Sequence, residues 1–451
     1  MLRDMHGLEL SAAGAESAQG FDDIIEGYTS FRADLPDRVA RVLEADPEFC
    51  LAHCTRGYFI LSGFNLSQLP AAAQAAMSAR KFAGQVTPRE KAHVEALEAW
   101  LAGDLDRCLA LWESILTEYP VDILALRMAH FIYFWLGRRR DMVASIERVY
   151  PVWSAEMPSY GTYLACRAFA HEESGRFVLA EADGRAAVQM NSGDLWATHA
   201  VAHVMEMQGR HAEGIAWLAR LAPNWVGANN LAHHLWWHWA LYHVERGEFD
   251  AALDLYDRRF RDLESPLTQA QPDLYIDVQN ACSMLFRLER QGVDVGARWV
   301  ELADKAEARI GDCKSAFTLP HWMMALTACG REAAALRMMD GLRGFAAGAE
   351  TTAAVVGEIA LPACEAVRLY AKADYAGCVS TLEPVIGRLV LMGGSHAQQD
   401  VLHQLYVDAA RRAGLADVIR HAFKAQSAWQ PLPAHARAGY HSSAKWLENQ
   451  A

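Results

Sequence analysis

The chain has 451 residues, 52% of them hydrophobic, and a formal net charge of −13. That is enough to bury a large core, and too acidic for nucleic acid or an anionic membrane as the main partner, because both demand a basic footprint. No apolar run approaches the 18 or so residues of a membrane span, and the start, MLRDMHGLEL, carries Arg3 and Asp4 and lacks a signal-peptide core, so a cytoplasmic protein is expected.

Helical patterns run through almost the whole chain, and period-two strand patterns are essentially missing. Residues 20–33 read as one helix and Arg38 to Glu44 as a second, ended by Asp46-Pro47; Phe49 to Gly63 follows. Cys50, His53 and Cys54 hint at a metal clip but lack a second ligand pair, so all nine cysteines read as reduced, packed thiols. An alanine-rich helix covers 71–85, and TPREKAHVEALEAWLAG opens on a cap made by Thr87, Pro88 and Glu90.

From there a ladder of glycines sets the period. Gly103, Gly137, Gly175, Gly209 and Gly247 are separated by 34, 38, 34 and 38 residues. Seven residues before each rung stand Ala96, His130, Ala168, Ala202 and Ala240; five after stand Cys108, Met142, Ala180, Gly214 and Ala252. Small residues recur where the two helices of a hairpin must approach closely. GDLDRCLALWESILTEYP reads as a turn, a helix with an apolar stripe and a stop at Pro120, and GEFDAALDLYDRRF and ADYAGCVSTLEPVI repeat that grammar. Such units cannot bury their apolar faces alone, so they stack. The aromatic run 130–135 reads as core. Loops are expected at about 260–275 and 344–352, and QPLPAHARAGY precedes a short closing helix.

The chain resembles a tetratricopeptide repeat array, and as a whole it is similar to the tetratricopeptide repeat protein 38 family. The likeness is carried by DILALRMAHFIYFWLG (122–137), YPVW (150–153), DLWATHAVAHVMEM (194–207), HHLWWHWALYHVERGEFDAALDLYD (233–257), DVQNACSMLFRLE (277–289), ARWVEL (297–302) and GGSHAQQDVLHQL (393–405). It implies an all-α, tetratricopeptide-like α-solenoid of stacked helical hairpins in a right-handed superhelix. One continuous array over 1–451 is expected, clearest over 88–260 and more divergent over 20–87 and 270–451. The resemblance implies no particular reaction.

In tetratricopeptide repeats the first helix of each hairpin lines the concave groove, through its positions 2, 5, 9, 12 and 13. With the rung glycine as position 15, these fall on Trp196, His199, His203, Glu206 and Met207 in the repeat ending at Gly209. In the next repeat His234 and Trp237 occupy positions 2 and 5, with His238 one place further round. Two neighbouring groove helices therefore each offer an H-x-x-x-H pair, without the Glu of the zinc-protease signature. Three readings stay open. His199, His203, His234 and His238 could hold a divalent metal for hydrolytic or oxygen chemistry. Histidines and tryptophans could instead bind a small molecule or peptide in the concave groove, or the array could serve as a protein interaction scaffold or homo-oligomer. Finally, the histidines could be satisfied groups at helix contacts.

Weaker candidates surround these. His130 replaces the small residue of other repeats. Asp277 either faces the groove or complements its helix start, and His321 follows Pro320 at the start of a helix. Ser395 should cap a helix with His396, Asp400 and His403 on one stripe. If the array curls enough to bring that helix to residues 199–238, Asp400 could orient a histidine or act as base, making Glu206, Asp400 and His396 the catalytic candidates.

Overall fold

Each rung of the glycine ladder ends a helix. In the computed structural model, which describes residues 2–450, the helices Pro88–Leu101, Ile123–Trp135, Tyr160–Glu173, Leu195–Met207 and Leu231–Glu245 each stop two residues before a ladder glycine. Gly103, Gly137, Gly175, Gly209 and Gly247 all have φ between 64° and 78°, the left-handed region that a residue without Cβ adopts freely. The next N–H then reaches back to a carbonyl of the last helical turn: Asp104 to Ala99, Arg138 to Tyr133, Arg176 to His171, Arg210 to Met205 and Glu248 to His243, at 2.8–2.9 Å. This is the Schellman closure, and it launches the second helix of each hairpin antiparallel to the first.

The same turn recurs four more times, at Gly292, Gly330, Ala373 and Gly414, with reach-back bonds of 2.9–3.1 Å. The structure is thus an all-α array of stacked helical hairpins, as expected. Side-chain caps sharpen the helix starts: Thr87 and Ser395 form capping boxes with Glu90 and Gln398, and Asp122 and Asp194 accept from the N–H groups of Ala125 and Ala197. The expected first helices appear as Ala15–Thr29, Leu35–Ala45, Cys50–Leu61 and Leu69–Phe82. Residues 260–275 contain one short helix, Pro266–Ala270, and the QPLPAHARAGY stretch two single 3-10 turns before His441–Glu448. A departure lies at the start, where Leu2–Arg3 and Glu9–Leu10 pair as a small antiparallel hairpin; two-residue strands are too short to show a period in sequence. Among the described residues no helix is long and apolar enough to cross a membrane.

The array closes on itself. Thr351 donates its N–H to the Gly103 carbonyl at 2.9 Å, Leu66 N–H reaches Asp312 at 2.7 Å, and Arg309 reaches the Phe64 carbonyl at 2.9 Å. Arg32 and Ala228 form an antiparallel bridge, flanked by bonds from Ala33 to Gly227 and from Asn229 to Phe31. Phe31, with φ of 53°, occupies the helix-ending place that glycine fills elsewhere, and its ring lies 5.9 Å from that of Trp196. A left-handed phenylalanine costs about 1–2 kcal/mol, which the burial of its ring offsets. The helix His396–Arg412 packs against both Leu195–Met207 and Tyr275–Arg290. The curl on which the roles of Asp400 and His396 were conditional is therefore present.

Two ladder glycines separate backbone conformation from close approach. A Cβ at Gly175 would meet nothing within 4 Å, whereas one at Gly137 would overlap the carbonyl of Val390, whose backbone cannot move without opening the closure. Gly175→Ala should therefore cost about 1–2 kcal/mol of strain. Gly137→Ala should cost more than twice that; equal losses in denaturant midpoint for the two variants would contradict the seam.

Candidate functional site

His199 and His203 stand one turn apart on Leu195–Met207, and His234 and His238 one turn apart on Leu231–Glu245. The two helices pack directly, so both pairs face one point. The four rings are 2%, 0%, 2% and 0% exposed, and each offers a nitrogen within 4.8 Å of the others'. His199 Nε2 and His203 Nε2 are 2.8 Å apart. Ring centroids are separated by 4.3 Å for His199–His203, 4.4 Å for His203–His238, 4.8 Å for His234–His238 and 4.9 Å for His199–His234.

A neighbouring helix, Tyr275–Arg290, holds the second pair in place. His234 Nδ1 lies 2.9 Å from Asn280 Oδ1, which fixes that nitrogen as the donor and leaves Nε2 with its lone pair. Trp237 donates to Ser283 Oγ at 3.1 Å, and its ring stacks on His234. Asp277 accepts from Asn230 at 2.7 Å and lies 3.0 Å from His233 Nδ1. Asp277 is thus a buried first-turn residue that positions the helix carrying the pair, and touches His233, one place from the predicted His234. Phe169 closes the other side, 5.3 Å from His199 and 5.6 Å from His203.

Burial pushes all four imidazoles below the ordinary histidine range, most strongly at His199, His203 and His238, whose neighbours are further imidazoles. His234 is pushed down to about 4. All four are therefore neutral near pH 7, the form in which histidine ligates a metal. Four of their nitrogens, His199 Nδ1, His203 Nδ1 and both nitrogens of His238, have no hydrogen-bond partner. An unsatisfied buried polar atom costs about 1–3 kcal/mol, so this arrangement opposes folding unless something else engages the rings.

Beside this cluster, Glu172 and Glu173 end the helix Tyr160–Glu173; they are fully buried and lie close to His203. Glu172 Oε2 is 3.5 Å from His203 Nδ1, and Glu173 Oε2 is 2.9 Å from Arg139 Nε.

The remaining candidates go elsewhere. His130 packs edge-on to Trp196 with neither nitrogen partnered, and Trp196 itself carries Phe31 and Arg127 against its ring. His321 Nδ1 bonds the Phe317 carbonyl at 2.9 Å. Half-buried His396 stacks on Trp429 and bonds the Glu173 carbonyl at 3.3 Å, and His403 lies beside the same tryptophan. Asp400 orients no histidine: Arg437 grips both its oxygens at 2.7 and 2.9 Å, with Gln404 and Tyr440 adding bonds. Burial alone would raise this carboxyl, but Arg437 and Arg287 hold it well below the usual range, which makes it a poor base. Glu206 faces this arginine–carboxylate group; burial and Glu245 push it up to about 8. The groove face expected to admit a peptide is, at the four histidines, filled by the chain itself. His53 bonds the Pro47 carbonyl at 2.8 Å and Cys50 the Ala79 carbonyl, so the amino-terminal clip does not form. Asn280 and Arg437 carried no signal in the sequence, because their roles depend on helices that meet only through stacking.

No protein-family model matches the chain. Among solved structures, a monomeric mutant of IFIT1 with Gppp-AAAA aligns over 100% of this chain and 98% of that one, at 12% identity and a TM-score of 0.40. The structure of Naa15/Naa10 bound to HypK-THB aligns over 97% of this chain and 66% of that one, also at 12% identity, with a TM-score of 0.25. Neither likeness bears on the site.

The buried histidines make the fold acid-sensitive. His321, pushed down to about 4 by burial, stays neutral in the folded chain until that pH but takes up a proton near 6.5 when unfolded. Its contribution is whole above pH 6.5 and lost as pH falls towards 4, up to about 3 kcal/mol. Melting temperature should fall between pH 7 and pH 5, and fall less in His321→Asn; a variant with the wild-type pH profile would refute the assignment.

Proposed function

We propose that this chain is a metal-binding helical-repeat protein that holds a divalent transition-metal ion through His199, His203, His234 and His238. The observation that carries the reading is the convergence of four buried, neutral imidazoles, each with a nitrogen within 4.8 Å of the others' and with His238 unpartnered on both of its nitrogens. An ion at that point would be bonded by one nitrogen from each ring. Two nitrogens 2.8 Å apart are about as far from each other as cis ligands that each lie about 2.0–2.1 Å from one ion. The bond from His234 to Asn280 is the outer-shell support that such ligands use to set ring orientation. An all-imidazole set suits zinc, copper, iron or nickel over magnesium or calcium. Membership of the tetratricopeptide repeat protein 38 family is part of the same reading and rests on the sequence runs quoted for it.

Burial makes this ion part of the fold. Binding that favours the native state adds its free energy to stability, so removal of the ion should lower the melting temperature. Purified, untagged protein should contain close to one equivalent of transition metal by elemental analysis, and His199→Ala/His234→Ala should contain less than a tenth of that. Prolonged chelation should destabilise the wild type and leave the double variant unchanged. Wild-type protein free of metal, and indifferent to added zinc or copper on refolding, would end the proposal.

A further inference from the structure

The two ring nitrogens of His203 face different neighbours. Nε2 lies 2.8 Å from His199 Nε2 inside the four-histidine cluster, while Nδ1 points the opposite way, 3.5 Å from Glu172 Oε2. Glu172, Glu173 and His203 each present a ligand atom within 4.8 Å of the others', and all three are at most 2% exposed. Neither oxygen of Glu172 has a hydrogen-bond partner, nor does His203 Nδ1, and Glu173 is engaged only through the ion pair of its Oε2 with Arg139. We infer that His203 is shared by two metal sites, with Nε2 serving the four-histidine site and Nδ1, together with Glu172 and Glu173, holding a second divalent cation, so that the ring bridges the two ions as an imidazolate. This inference rests on the four-histidine reading.

Three features favour a second ion over a carboxylate that merely orients the ring. A separation of 3.5 Å exceeds the roughly 2.7–3.2 Å of a hydrogen bond and matches the spacing of two ligands that each lie about 2.0–2.2 Å from one shared ion set to the side of the line between them. An orienting carboxylate would use one oxygen, whereas here three buried carboxylate oxygens have neither a hydrogen bond nor an ion pair. The pair also ends a helix, where the backbone dipole favours positive charge. Arg139, 2.9 Å from Glu173 Oε2, offsets part of one negative charge and leaves Glu172 as the principal anionic ligand.

The bridge forms with a simple balance. Neutral His203 carries one N–H; with the Nε2 lone pair on the first ion, that proton sits on Nδ1. Entry of the second ion forms a metal–Nδ1 bond and releases the proton to solvent, with any proton shared by the glutamates following it. No oxidant or reductant is required.

The test uses copper(II) alone as probe, added to chelator-treated full-length protein. Wild type should bind two copper ions per chain, with release of at least one proton at the second. Its electron paramagnetic resonance signal should fall well below that of two independent ions, because an imidazolate bridge couples the spins. Glu172→Gln/Glu173→Gln should bind one copper with an ordinary one-spin signal. One copper in both proteins would overturn the bridge and leave the four-histidine site standing; none in either would remove both. Should the double variant fail to fold, the wild-type spectrum decides alone: two uncoupled spins per chain refute the inference, and a coupled pair supports it.

Discussion

Every hairpin from Pro88 onward turns through one left-handed residue two places beyond its first helix, and the inner-face side chains of the array are set by counting back from that residue. His203 and Glu206 lie six and three positions before Gly209, Glu172 three before Gly175, and His238 nine before Gly247. The turn fixes where the first helix ends and hence which of its faces meets the next repeat. The four histidines converge although their counts differ, ten and six before Gly209 against thirteen and nine before Gly247, because three residues is close to one helical turn and keeps both pairs on the inner face.

Much of this was legible in the sequence, for a physical reason: positive φ selects glycine strongly enough to leave a mark at each of the five turns from Gly103 to Gly247. The ladder fades after Gly247, where the steps lengthen to 45, 38, 43 and 41 residues through Gly292, Gly330, Ala373 and Gly414. A π-helical end at Tyr256–Phe260 and the short helix Pro266–Ala270 enlarge the first of these steps, and Ala373 hides another behind a residue that bears the strain of its conformation. The H-x-x-x-H pairs were visible because four residues make one helical turn. Their convergence could only be proposed, since it depends on the packing of separate helices. The carboxylate pair shows the limit well: Glu172 and Glu173 stand just before Gly175 in the sequence, but that one of them lies against the far nitrogen of His203 depends on how Tyr160–Glu173 packs on Leu195–Met207.

The interior is unusual in the kind of polarity it tolerates. Arginine–carboxylate groups such as Arg437 with Asp400, and Arg89 with Asp122, satisfy themselves within the chain. The histidine cluster does not, and neither does Glu172 beside it. A buried polar group with no partner is retained only where it serves something other than packing. What sets the cluster apart is concentration: four partnerless ring nitrogens and Glu172 stand together, whereas an unpartnered group such as His130 stands apart from them.

The seam that joins distant repeats of the array has a further consequence for its history. Open solenoids lengthen and shorten by whole repeats, because each unit touches only its neighbours. Here Gly137 meets Val390, Thr351 bonds Gly103, and Arg32 pairs with Ala228. Gain or loss of one hairpin between residues 137 and 228, the stretch all three contacts span, would move every partner by a repeat's width and break them all together. The copy number of this array is therefore locked, and variation is confined to loops and surface faces that leave the circuit of contacts intact.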